Sequence, residues 1–62
     1  MIAIKNLQCL HELLTQEEVI RAVAALYKPM LSDATFKPIL DTIIKTSEKN
    51  SEDIIAYLKN HL

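Results

Sequence analysis

The segment YKPMLSDATFKP, residues 27–38, divides the chain into two apolar, helix-forming parts. Pro29 disfavours the α conformation in the residue before it, so a helix is expected to end here. Thr35 is the preferred cap of the next helix, because Pro38 then lies in the first turn, where its missing amide proton breaks no hydrogen bond. Residues 30–35 are therefore predicted to be the longest irregular segment.

Upstream of this segment, the apolar residues predict two helices. The first has apolar residues three and four positions apart, namely Ile4, Leu7, Leu10 and Leu14. Thr15 and Glu18 have the spacing of a capping box, which predicts a sharp turn near residue 14 and a new helix after it. This second helix carries two apolar ridges, one of Val19, Val23, Leu26 and Met30 and one of Ile20, Tyr27 and Leu31.

Downstream, two further helices are expected. The first begins after Thr35, and Asn50 or Ser51 caps the last one, which has Glu52 and Asp53 in its first turn. The chain contains no glycine, which β-hairpin turns favour, so we predict a single all-α domain, residues 1–62. We expect a small bundle of three to four short helices, arranged as two stacked helical hairpins. Residues 1–6 are left open between helix, strand and disorder.

The apolar content is high for so short a chain. Half of the 62 residues are apolar, whereas a domain of this size buries only about 60% of its unfolded surface. We therefore expect homodimerisation, with two-fold symmetry, to complete the bundle. Because aromatic and Met side chains are enriched in interface cores, the predicted contact residues are Val23, Leu26, Tyr27, Met30, Ile55, Tyr57 and Leu62.

No catalytic, metal or cofactor site is predicted. Cys9 and His11 are two residues apart and would point in different directions on a helix, so Cys9 is expected to be a buried or half-buried small hydrophobe. His11 is expected at the surface, and His61 near the negative end of a helix dipole. The phosphate-binding loops of many enzymes need glycine, which is absent.

The charged residues also fit structural roles. Glu17 with Arg21, and Asp41 with Lys45, are expected to form ion pairs between successive helical turns. The formal net charge is −1, with mixed signs along the chain, which argues against nucleic acid or an anionic membrane as a partner. No apolar run approaches the roughly 18 residues of a membrane span, and Lys5 interrupts the apolar N-terminus, so a cytoplasmic location is expected.

These observations predict a non-enzymatic protein–protein interaction module, a small regulator, adaptor or inhibitor that acts through an apolar helical surface. The main alternative is a compact DNA-binding regulator that uses the last two predicted helices. That alternative would direct Glu52 and Asp53 toward DNA phosphates, which have the same sign of charge. A bacteriocin-immunity-like bundle and a structural subunit of a larger assembly are further alternatives that the size and the helix content permit.

Overall fold

The computed structural model describes all 62 residues and shows a single helical hairpin. Helix α1 spans Ile4–Tyr27, a single 3-10 turn spans Lys28–Met30, and helix α2 spans Phe36–His61. The molecule measures 48 × 15 × 11 Å, and its radius of gyration is 14.5 Å. A compact domain of this length would have a radius of gyration of about 10.6 Å, so the hairpin is a rod rather than a globule.

The prediction of three to four short helices in two stacked hairpins is wrong, and the first reason lies at Thr15. This residue is inside α1, where its hydroxyl donates a hydrogen bond to the carbonyl oxygen of His11 at 3.0 Å. A threonine inside a helix commonly makes this bond to the preceding turn. Since α1 contains neither proline nor glycine, the capping-box pattern does not interrupt it.

The second expected break, at residues 49–51, is absent as well. Ser51 lies inside α2 and is buried, and its hydroxyl accepts a hydrogen bond from Arg21 of α1 at 2.5 Å. Glu52 and Asp53 are therefore in the middle of a helix, and Asp53 accepts a hydrogen bond from Lys49 at 2.5 Å. The short turn that a helix-turn-helix motif would need here does not exist.

The prediction for the connection between the helices is confirmed in its main features. Helix α1 ends at Tyr27, two residues before Pro29, and α2 begins at Phe36 with Pro38 in its first turn. The irregular segment is 31–35, slightly shorter than expected, because Met30 belongs to the 3-10 turn. The reason given for the end of α1 is wrong, however, because Lys28, directly before Pro29, keeps α-helical dihedral angles (φ −51°, ψ −49°), and the chain leaves the helix through the 3-10 turn.

The cap of α2 differs from the prediction. Thr35 precedes the helix but makes no capping hydrogen bond with its side chain. Instead, the Asp33 carboxylate accepts the backbone N–H of Thr35 at 2.8 Å, and the Asp33 carbonyl accepts the N–H of Phe36 at 3.1 Å. The hydrogen bond from Thr35 favours the charged carboxylate and lowers the pKa of Asp33. Asp33 thus stabilises the loop that Thr35 was expected to close.

The two helices meet along a narrow seam, whose residues are alternately four and three positions apart. On α1 the seam residues are Leu10, Leu14, Glu17, Arg21, Ala24 and Lys28. On α2 they are Leu40, Ile44, Ser47, Ser51, Ile54 and Leu58. This is the spacing of a coiled coil, in which only a thin stripe of each helix faces its neighbour. The remaining apolar residues of each helix therefore lie outside the seam.

The middle of the seam is polar. The Nη1 atom of Arg21 donates to the carbonyl oxygen and the hydroxyl of Ser47, at 3.1 and 3.0 Å, and to the hydroxyl of Ser51. The Ser47 hydroxyl donates to the carbonyl oxygen of Glu17 at 2.9 Å, and the Asn50 amide donates to the Glu17 carboxylate at 3.3 Å. These bonds fix the antiparallel alignment, and they replace the expected pairing of Glu17 with Arg21.

Little of the chain is buried. Only Ala24, Ser47 and Ser51 are buried, and Ala24 is the single apolar member. The accessible surface is 4893 Å² for a 7.1 kDa chain. A compact monomer of this mass would expose about 4,100 Å², so the hairpin exposes roughly 800 Å² more than a globular domain would. The hairpin has a seam but no hydrophobic core of its own.

Helix α1 begins at Ile4, and Ala3 before it is extended. Of the N-terminal segment left open by the sequence, residues 1–3 therefore precede the helix and residues 4–6 belong to it. None of the helices combines the length and the apolar character needed to cross a membrane.

Candidate functional site

The main candidate site is a groove between the two helices, in the half of the hairpin next to the loop. All seven residues that line it are apolar, and we refer to them as the groove: Val19, Ile20, Val23, Ala24, Tyr27, Leu40 and Ile43. Tyr27 is 50% exposed and Val23 is 47% exposed, so the groove is open to solvent. It contains no charged or hydrogen-bonding side chain apart from the phenol of Tyr27.

The narrow seam explains why this groove forms. Ala24 and Leu40 belong to the seam, and the small Ala24 side chain leaves a depression between the helices. Ile20 and Tyr27 of α1 and Ile43 of α2 lie beside the seam and form the walls of the depression. In a larger bundle such flanking positions would contact a further helix. In this hairpin no further helix covers them.

Further apolar side chains are exposed in the same half of the hairpin. Sixteen large apolar side chains of the chain are exposed, and nine of them lie between residues 19 and 43, in the half next to the loop. Those outside the groove itself are Leu26, Met30, Phe36 and Ile39. Exposed apolar patches of this kind are characteristic of binding surfaces, because isolated monomers rarely retain them.

The same face of the hairpin becomes polar toward the chain ends. Ile20 and Ile43 also line a second hollow, which includes Glu17 and Asn50. Glu17 and Asn50 in turn belong to a third hollow, which contains Asp53. The groove face is therefore wholly apolar next to the loop and mixed beyond it, where the Glu17 and Asp53 carboxylates lie beside Leu13 and Ile54.

Only part of the predicted contact surface lies in the groove. Val23 and Tyr27 line it, and Leu26 and Met30 are exposed nearby, at 62% and 68%. The other predicted contact residues are near the opposite end of the rod, about 20 Å away at 1.5 Å per helical residue, and these are Ile55, Tyr57 and Leu62. The seven residues therefore do not form one continuous surface.

Sequence reasoning missed the contribution of α2 to the groove. Leu40 and Ile43 of α2, and Ile20 of α1, are not among the predicted contact residues. The available signal was the spacing of Leu40, Ile44 and Ser47, which defines a seam and leaves Ile43 outside it. The polar residues inside this spacing obscured the pattern.

One ion pair lies at the loop end of the hairpin. Lys28, at the end of α1, pairs with Asp41 of α2, and both side chains are about half exposed. Asp41 therefore bonds across the hairpin to Lys28. The sequence had predicted Lys45 as its partner. The pair ties the two helices together next to the groove without adding a charge to its lining.

Cys9, His11 and His61 lie outside the groove. Cys9 is exposed, which corrects the expectation of a buried or half-buried residue, and it lines a small hollow with Asn6, Leu10 and Tyr57. The His61 ring stacks on Tyr57 with a centroid distance of 3.8 Å, and its Nδ1 is 2.7 Å from the Tyr57 carbonyl oxygen. No three His, Cys, Asp or Glu side chains are grouped so that they could hold a metal ion.

The groove therefore offers apolar contact area and shape, and no reactive group. Its walls come from two helices, so a helical segment fits between them more readily than an extended peptide, which needs unpaired backbone groups along a sheet edge. In comparisons of sequence and structure, the chain has no significant match to a protein-family model, a curated protein or a solved structure.

Proposed function

We propose that the chain is a non-enzymatic protein–protein interaction module, a small regulator, adaptor or inhibitor that binds through its groove. The observation that carries this proposal is the wholly apolar, open lining of the groove on a chain that buries one apolar residue. Burying apolar surface contributes roughly 25 cal/mol per Å², so covering the groove would stabilise both the complex and the hairpin.

The chemistry of the lining favours a protein as the ligand. Small-molecule sites combine an apolar pocket with a few polar groups that orient the ligand, and they enclose most of its surface. The groove is open and provides only the Tyr27 hydroxyl as a polar group. An apolar helix face satisfies these requirements, because it needs contact area and shape but no oriented hydrogen bonds.

The interaction is proposed to occur in the cytoplasm. Cys9 is the single cysteine and is exposed, a situation that suits a reducing compartment, where free thiols persist. Within that compartment the module would act by occupying the surface of another protein, with Val23 and Tyr27 in contact, flanked by Leu26 and Met30.

A photo-crosslinking experiment in the protein's own cells tests this proposal. A benzophenone amino acid replaces Val23, which lines the groove, and in a matched control it replaces the neighbouring Ala22, which is exposed outside the lining. We expect a discrete protein adduct from position 23 after irradiation and none from position 22. No adduct from position 23, or the same adducts from both positions, would contradict the proposal.

A further inference from the structure

We infer that the groove is covered by a second copy of this chain, packed loop half against loop half across a two-fold axis. This inference rests on the proposed function, because it names a partner for the same groove. The two copies would bury their grooves against each other, and each hairpin would thereby gain the hydrophobic core that it lacks alone.

The surface area of the hairpin supports this occupant. The chain exposes 4893 Å², roughly 800 Å² more than a compact monomer of its mass. A stable protein–protein interface buries about 800 Å² on each partner. An interface of this standard size would therefore bring the exposed area per chain to about that of a compact folded domain.

The chemistry of the groove also supports self-association. The lining carries no charge, so it provides no electrostatic selection for an acidic or a basic partner. An uncharged apolar surface is complementary to itself, and two-fold pairing places the same patch on both sides of the contact. The exposed Val19, Val23 and Tyr27 of one copy would pack against the walls formed by Ile20 and Ile43 of the other.

The Glu17 and Asp53 carboxylates beyond the groove favour one arrangement of the two copies. If the two rods overlapped along their full length in antiparallel orientation, Glu17 and Asp53 of each copy would be buried against the apolar groove of the other, at a large desolvation cost. If they lay side by side in the same direction, the Glu17 and Asp53 carboxylates of the two copies would face each other. A two-fold axis through the groove, perpendicular to the rods, avoids both arrangements, and the carboxylates of the two copies then lie far apart, on opposite sides of the axis.

The first test compares the solution mass of the purified chain with that of two variants. We expect a dimer for the wild type, at least about a 100-fold loss of affinity for Val23→Glu, since each copy would bury a carboxylate, and no loss for Ile55→Glu. Ile55 is similarly exposed but lies outside the groove, at 41%. A monomeric wild type, or a dimer unaffected by Val23→Glu, would overturn the inference.

Charge complementation separates loss of contact from loss of folding. Val23→Glu and Val23→Lys are each expected to be monomeric, but an equimolar mixture should form a heterodimer in which the two charges pair near the axis. Failure of the mixture to associate would contradict a contact between the two grooves. A monomeric wild type that still gives a position-23 adduct with a different protein would overturn this inference and leave the proposed function standing.

Cys9 provides a native probe of the arrangement. A nitroxide label on this exposed cysteine lies 14 residues along α1 from Val23, or roughly 20 Å from the proposed axis. The two labels of a dimer should then be about 40 Å apart by pulsed electron paramagnetic resonance. Rods packed in the same direction would bring the labels within about 20 Å, since packed helices lie about 10 Å apart, and that result would overturn the loop-half arrangement.

Discussion

Arg21 aligns the two helices of the hairpin. Its guanidinium donates to Ser47 and Ser51, which lie on successive turns of α2, so a shift of one turn would break these bonds. Polar groups inside a coiled-coil seam specify how the two helices are aligned. They do so at some cost in stability, because apolar residues of similar volume are often equally or more stabilising at such positions. The sequence did not reveal this role, since the same residues also fit an ion pair and a helix cap.

Ser47→Ala tests the polar seam. The substitution removes the bond to the Glu17 carbonyl and one bond from Arg21, at a site that is 2% exposed. We expect the free energy of unfolding to fall by about 1 kcal/mol, measured by urea unfolding at a fixed protein concentration. Ser32→Ala, in the exposed loop, is the control and should have little effect. Equal effects of the two substitutions would argue against a structural role for the Ser47 hydroxyl.

The Asp33 carboxylate gives a prediction for pH. Its pKa is lowered from 3.8 in the folded chain, because it accepts the backbone N–H of Thr35. The loop hydrogen bond therefore contributes stability above the unfolded pKa, and this contribution is lost as the pH falls through the folded pKa. Carboxyl-carbon NMR titration should give a midpoint for Asp33 below 3.8 when folded and near that value in urea. A folded midpoint at or above the urea value would contradict the hydrogen bond.

At the scale of the elements, the sequence identified helices correctly but divided them incorrectly. Pro29 and Pro38 mark the two ends of the connection between the helices, because proline lacks the N–H group that the interior of a helix requires. Thr15 and Ser51 are weaker indicators, since a hydroxyl can cap a helix or bond within one. The tertiary contact of Ser51 with Arg21, which local spacing does not encode, decided between the two roles there.

Thr15→Ala distinguishes a continuous α1 from a capped second helix. If Thr15 were a cap, its removal would cost about 1 kcal/mol. Because it lies inside the helix, we expect alanine to be neutral or to stabilise the chain by about 0.5 kcal/mol in urea unfolding. Ser51→Ala is the matched substitution and should destabilise, because its hydroxyl bonds to Arg21. A clear loss of stability in Thr15→Ala would restore the predicted break.

The sequence indicated that the molecule has more apolar residues than it can bury, but not where these residues lie. The number of apolar residues revealed the excess. The position of the excess depends on the seam, which contains small and polar residues such as Ala24 and Ser47 and leaves Ile20 and Ile43 outside. Nine of the sixteen exposed large apolar side chains lie in the loop half, and five of these nine line the groove. The C-terminal residues predicted as contacts, among them Tyr57, lie at the other end of the rod.

The response of self-association to salt follows from this surface. Since the groove lining is uncharged, we expect the dimer dissociation constant to change by less than about threefold from low to near-molar sodium chloride. Titration by fluorescence anisotropy would measure it. A steep weakening with salt would instead indicate charge pairs at the contact, and the same steep dependence for added DNA would favour the nucleic-acid-binding alternative.

Sedimentation equilibrium tests self-association through the groove most directly. It would be measured across a wide range of protein concentration, with far-UV circular dichroism on the same samples. We predict a helical dimer that loses helix as it dissociates on dilution, because a hairpin with one buried apolar residue depends on its partner for a core. A monomer that remains fully helical at every concentration would contradict it, since the exposed groove would then be compatible with a stable hairpin on its own.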